Sequence, residues 1–149
     1  MKNLLEPTPY QEILQRIELL QPHSARLWGK MSVAQMLAHC QVPIQVALGD
    51  VRSTRSWLGY LLGPLVRSML TSDKPLSAGS PTDAHFIVKE ERNFEMEREK
   101  LKNLIHRLHT ADTKDMTGRI HPFFGRLTAE QWGKGTYKHL DHHLRQFGV

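Results

Sequence analysis

Apolar positions along this chain fall mostly at helical spacing. Ile13, Leu14 and Ile17 form a stripe just after Thr8-Pro9-Tyr10-Gln11. Ile87, Phe94, Leu101 and Leu108 recur every seven residues, with Leu104 and Ile105 between them. That is one face of a helix turning by about 100° per residue. No stretch alternates apolar and polar residues between turn pairs well enough to predict a strand. The pattern therefore predicts an all-α chain.

Helix starts are marked by a recurring cap. A Ser or Thr oxygen accepts one orphan backbone N–H, and a side chain three residues on reaches back to another. Thr8-Pro9-Tyr10-Gln11, Ser32-Val33-Ala34-Gln35, Ser80-Pro81-Thr82-Asp83 and Thr128-Ala129-Glu130-Gln131 all follow this rule. In the first and third, Pro takes a position where a missing N–H costs nothing. Met31 with Met36, and Leu127 with Trp132, have the spacing of hydrophobic staples. Four main helices are predicted, the third running from about Pro81 to His109.

Between the second and third helices lies "STRSWLGYLLGPLVRSMLTSDKPLSAGSP". Its first part, about 57–70, is apolar on most sides and reads as one or two short accessory helices broken near Pro64. Ser72 to Ser80 has the composition of a linker. A segment apolar all round is expected to be buried as an extra layer on the core. A dimer contact or a substrate lid are the other uses such a segment has.

Length and composition narrow the function classes. The chain has 149 residues, 40% hydrophobic and 23% charged, which suits one globular domain over 1–149. Its net charge of +5 and pI of about 9.6 would suit an acidic partner. The basic residues are scattered, with no run of five or more, so nucleic-acid binding is not expected. Cys40 is the single cysteine, so no internal disulfide is expected. No apolar run suits a signal peptide, and the ten residues of "WLGYLLGPLV" fall well short of a membrane span. A cytoplasmic protein with no membrane role is the expectation.

Candidate chemistry sits in "YKHLDHHLRQFGV". His139 and His143 lie one helical turn apart on one face, and Gln146 continues that stripe. His142 lies about 60° to the side of His139 and is expected to be half-exposed. Two imidazoles one turn apart can bind one divalent ion from the same side. The third ligand is expected from the second helix. There His39 shares the apolar side with Met36, Val42 and Val46. Pro43 removes the helical donor for the carbonyl of His39 and is expected to bend the helix there.

These residues carry a family likeness. "WGKMSVAQMLAHC", "HPFFGRLTAEQW" and "KHLDHHLRQF", in a chain with a long second connection, resemble the DinB-like superfamily of four-helix-bundle metalloproteins. The likeness is greatest to one of its uncharacterised bacterial branches. It implies a DinB-like four-helix bundle with one or two accessory helices between helices 2 and 3. It also implies a divalent ion held by His39 from the second helix and by the His139/His143 pair from the fourth. Gln146 matches the glutamine common in that motif, while Arg145 stands where many relatives have glycine.

Three imidazoles leave part of the coordination sphere open, which reads as catalytic or substrate-binding rather than structural. Imidazole suits zinc, nickel, copper and iron, so the sequence does not choose among these or manganese. Such an ion can polarise an oxygen or hold a thiol as thiolate, the latter implying a low-molecular-weight thiol as a second cofactor. The expectation is a metal-dependent enzyme on a small-molecule substrate, a thiol-cofactor transferase or a hydrolase. The alternative is a metal- or ligand-binding bundle without catalysis. His121, His142 and Gln146 are the acid–base or orienting candidates. Asp141 reads as a surface charge and Cys40 as an inert buried thiol. Trp28, Trp57 and Trp132 read as core or interface anchors. Gly133 and Gly135 either leave room at the mouth of the site or let another helix pack close. The apolar 57–70 segment makes a homodimer one of the expected assemblies.

Overall fold

The computed structural model describes residues 1–79 and 86–149, and of residues 58 and 64–66 the backbone alone. In chain order the elements are α1 (Pro7–Glu18), α2 (Val33–Leu48), α3 (Trp57–Thr71), α4 (Phe94–Thr110), α5 (Thr113–Met116), β1 (Ile120–His121), β2 (Gly125–Arg126) and α6 (Ala129–Gln146). The protein is mostly helical. Its one sheet among the described residues is β1 with β2, antiparallel, Ile120 opposite Arg126 and His121 opposite Gly125. "HPFFG" is thus a tight hairpin rather than an open loop.

Two helices start where their caps predict. Ser32 Oγ accepts from the Gln35 amide at 3.2 Å, and Gln35 Oε1 accepts from the Ser32 amide at 2.9 Å. Thr128 and Gln131 make the same exchange at 3.2 and 3.0 Å. Both satisfy two orphan donors reciprocally.

Two starts differ. α1 begins at Pro7, with Glu6 in the cap position and no side-chain cap. Pro7 supplies no N–H and is pre-set for a first turn, so Thr8 already lies inside the helix. α4 begins at Phe94, not near Pro81, because Asn93 Oδ1 accepts from the Met96 amide at 3.0 Å. Residues 87–93 are not helical, and Ile87 is exposed instead of joining the stripe. Their carbonyls serve α2: Gln35 Nε2 donates to Lys89 O at 3.1 Å and to Glu90 O at 3.3 Å. The cap expected at Ser80-Pro81-Thr82-Asp83 lies outside the described residues.

The core forms where α2 packs on α4 and α6 while α1 packs on α4 and α6. Ile13, Ile17, Leu37, Ile44, Leu101 and Ile105 are fully buried there. Each such side chain contributes about 1.5–3 kcal/mol by leaving water. Leu127 and Trp132 of the second staple are buried in the same cluster with Met36, and Met31 packs at its edge.

The accessory segment is one helix, α3, running through Pro64 rather than breaking there. Its start is fixed by Ser56, whose Oγ accepts from the Gly59 amide at 3.1 Å and whose amide donates to Pro122 O at 2.8 Å. Its end is fixed by the buried Lys138 of α6, which donates to Met69 O and, at 2.9 Å, to Ser72 O. Only part of α3 is covered: Trp57, Tyr60, Leu61, Leu62 and Met69 face outward. The expected buried layer is therefore one-sided, and Trp57 is not a core anchor. No described helix is long and apolar enough to cross a membrane.

Gly133 and Gly135 serve close packing rather than open space. A Cβ on Gly133 would collide with Asn3, and one on Gly135 would stand 2.6 Å from Leu70 Cδ1. The first lets the N-terminal segment lie on α6, where the Leu4 amide donates to Gly133 O at 3.2 Å. The second seats α3.

Candidate metal centre

α2 and α6 bring His39, His139 and His143 together. One ring nitrogen from each lies within 4.8 Å of the others. Nε2 of His39 and Nε2 of His139 are 2.9 Å apart. The ring centroids stand 4.7–4.9 Å apart pairwise. His39 and His143 are buried, and His139 is part-exposed. α2 remains helical through Pro43, one turn beyond His39.

The outer nitrogens explain this arrangement. His39 Nδ1 is 2.9 Å from Phe86 O. A carbonyl only accepts, so Nδ1 carries the proton and the Nε2 lone pair faces inward. His143 Nδ1 is 2.9 Å from Gln146 Oε1. The amide cannot be the other way round, because Gln146 Nε2 donates to Trp28 O at 2.7 Å. His143 Nδ1 is therefore also protonated, and its Nε2 is left as the nitrogen with a free lone pair. His139 Nδ1 is buried without a hydrogen-bond partner.

Space for Gln146 depends on one glycine. Gly29 has φ of 80°, and a Cβ there would stand 2.5 Å from Gln146 Nε2. L side chains rarely adopt that backbone conformation. The 26–31 loop is held over the end of α6 by the Leu27 amide, which donates to Gln146 O at 2.8 Å.

Burial holds these rings neutral. It is the leading cause that lowers the pKa of His39. It lowers His139 well below the usual imidazole range, with the neighbouring rings of His143 and His39 adding to it. Burial first, then His39, pushes His143 down to about 3. Neutral imidazoles are the form that ligates a metal. The lone pairs of His39 and His143 converge with Nε2 of His139, beside an orphaned buried Nδ1, and this is a donor set that fits a cation.

The remaining candidates have other places. His142 is buried rather than half-exposed; its Nδ1 is 3.4 Å from Leu76 O, and its ring stands 5.7 Å from that of Trp28. The strap after α3 covers it, which helical geometry alone did not foresee. His121 does not join the three histidines. Its Nδ1 accepts from the Phe123 and Phe124 amides at 3.1 and 3.3 Å, and its ring packs against Phe124 and Trp132. It organises the hairpin turn. Asp141 is more than a surface charge, since it accepts from Arg16 at 2.9 Å and Arg145 at 3.0 Å and ties α1 to α6. Cys40 is buried, and burial pushes its thiol up, so it stays protonated at neutral pH. Sequence reading missed the carbonyls of Phe86, Trp28 and Leu76, because a backbone acceptor has no signature in residue type.

No curated protein and no solved structure matches the chain. A family model does, described as a protein of unknown function (DUF1569), and it covers residues 2–148. With nearly the whole chain inside that match, the protein belongs to the DUF1569 family.

Proposed function

We propose that this protein is a DinB-like four-helix bundle, one domain over residues 1–149, that holds a divalent metal ion with His39, His139 and His143 and acts on a small molecule. In this reading α1, α2, α4 and α6 are the bundle and α3 is the accessory helix. The observation that carries it is the convergence of three ring nitrogens within 4.8 Å while Phe86 O and Gln146 Oε1 hold two of the outer nitrogens. Such outer partners fix ring tautomer and orientation at metal sites.

When bound, a divalent ion supplies Lewis-acid activation of an oxygen or thiol group. The protein supplies the rest. His39 and His143 are locked from behind. Gln146 sets the His143 ring and is itself set by the Trp28 carbonyl. His139 is held against both other rings, its Nδ1 buried. The buried rings exclude water around the other two nitrogens.

Among reaction types, a thiol-cofactor transferase is preferred to a hydrolase. That preference comes from the DinB-like resemblance; among the described residues no carboxylate stands within ligand distance of the three histidines. The same observation supports the second reading, a metal-binding bundle without catalysis. A cytoplasmic location belongs to the proposal, and a nucleic-acid role does not.

Cobalt substitution separates these readings. The visible spectrum of the cobalt protein should change when a small thiol or imidazole is added, as an open coordination position requires. A spectrum indifferent to both probes would remove the enzyme reading and leave the metal-binding bundle.

A further inference from the structure

We infer that the outer face of α3 is the self-association surface of this protein, pairing with the same helix of a second copy about a twofold axis. The face is built outward by the way α3 is seated. Gly59 and Gly63, one turn apart, lie against the hairpin backbone, and a Cβ on Gly59 would stand 2.6 Å from Pro122 O. Leu70 rests on Gly135. Arg67, the one charged residue of the helix, is turned inward to Arg126 O and, at 3.0 Å, Gln131 Oε1. Leu61 lies about 160° round the helix from Gly59 at 100° per residue.

What remains outside is largely apolar, with Ser68 also exposed and the Arg55 guanidinium 4.6 Å from the Tyr60 ring centre at one edge. Trp57 is 73% exposed, Tyr60 66%, Leu61 65%, Met69 54% and Leu62 41%. Leu62 and Met69 lie at the flank, about 60–80° round the helix from Gly59, so the outward face proper is Trp57, Tyr60 and Leu61, which at about 200 Å² per aromatic side chain and about 120 Å² per aliphatic one present on the order of 350 Å². That is the size of the largest apolar patch on a typical monomer, the kind that is often functional. With Leu62 and Met69 at its flank it supplies the apolar centre of an interface of ~800 Å² per partner, the rim coming from neighbouring polar residues.

The chemistry selects a second copy over the other occupants. A lid would need freedom to fold inward, yet both ends of α3 are tied, through Ser56 to Pro122 and through Ser72 to Lys138. A helix lying on a lipid surface carries free Lys or Arg at its polar edge, whereas here Arg67 is bonded to Arg126 O and Gln131 Oε1 and Arg55 to Gly59 O and the Tyr60 ring. The face is convex, so it is not a groove for a peptide. A net charge of +5 opposes self-association in general, and a largely apolar face is where two such chains meet with least repulsion. An isologous pairing covers the same face on both copies at once.

Sedimentation equilibrium of the full chain tests this. The wild type should be a dimer at micromolar concentration. Trp57→Glu/Leu61→Glu should raise the dissociation constant by about a hundredfold or more, with far-UV circular dichroism unchanged. A Leu61→Cys variant should cross-link to itself through a short bis-maleimide, since Cys40 is buried and does not compete. The folding of this second variant is independent of any buried charge. A wild type that is monomeric at all these concentrations, a dimer that survives the double substitution, or Leu61→Cys that fails to cross-link within a dimer would each overturn the inference. A monomer that floats with anionic phospholipid vesicles would overturn it in favour of a lipid surface.

Discussion

A single glutamine decides which nitrogen His143 presents. Gln146 accepts from His143 Nδ1 and donates to Trp28 O, so the amide has one orientation and the imidazole one tautomer. Gln146→Leu keeps the volume and removes both bonds. Isothermal titration with zinc should show affinity lowered by about 10–100-fold, the usual cost of losing an outer partner, with the helix content intact. Gly29→Ala should act in the same direction through the same atom, because its Cβ takes the space of Gln146 Nε2. Equal zinc affinity in Gln146→Leu would mean that the tautomer is not set from this side. The histidines and Gln146 were legible in sequence because helical spacing puts side chains on a face. Their backbone partners were not, since Phe86 and Leu76 reach the site through chain path alone. His142 shows the same limit: its angle on the helix was right, and its burial was decided by the strap that crosses it.

Helix boundaries were readable where a cap stood alone and misread where two signals competed. Ser32 and Thr128 each face a Gln three residues on, and both form the reciprocal pair. Thr8 had the same pattern, but Pro7 just before it starts the helix earlier, and no side chain caps α1. The difference is measurable by urea unfolding. Ser32→Ala and Thr128→Ala should each cost about 1 kcal/mol, whereas Thr8→Ala, exposed and uncapping, should stay within about 0.5 kcal/mol. A loss at Thr8 as large as at Ser32 would contradict the assigned start. The expected long third helix failed for a related reason. Its seven-residue stripe continued back to Ile87, yet Asn93 caps α4 and the preceding carbonyls bond to α2. Periodicity reports which residues would share a face if helical; it does not report a competing acceptor.

At the scale of the molecule, buried neutral histidines tie stability to pH. Their pKa values are lowered in the folded chain, so between about 6.5 and the lower folded values the unfolded chain binds more protons. Stability is present above about pH 6.5 and lost as pH falls toward about 3, where His143 titrates in the folded state. Each ring so held contributes up to about 1.4 kcal/mol per pH unit in its window. Urea midpoints of chelated protein should therefore fall between pH 6.5 and 4. His143→Leu should flatten that slope, and an unchanged slope would show that its burial is not what withholds the proton. The fold itself should survive chelation, because the core of α1, α2, α4 and α6 is apolar and continuous around the site; loss of the helical circular dichroism signal on chelation would mean that the ion is structural. The central claim is that three particular histidines, of the nine in the chain, form the centre. Elemental analysis of protein purified without a nickel column measures it most directly. One divalent ion per chain is predicted for the wild type and for His106→Ala and His109→Ala, which alter rings beside Tyr10. Sharply reduced occupancy is predicted for His39→Ala, His139→Ala and His143→Ala, and unchanged stoichiometry in those three would contradict the account.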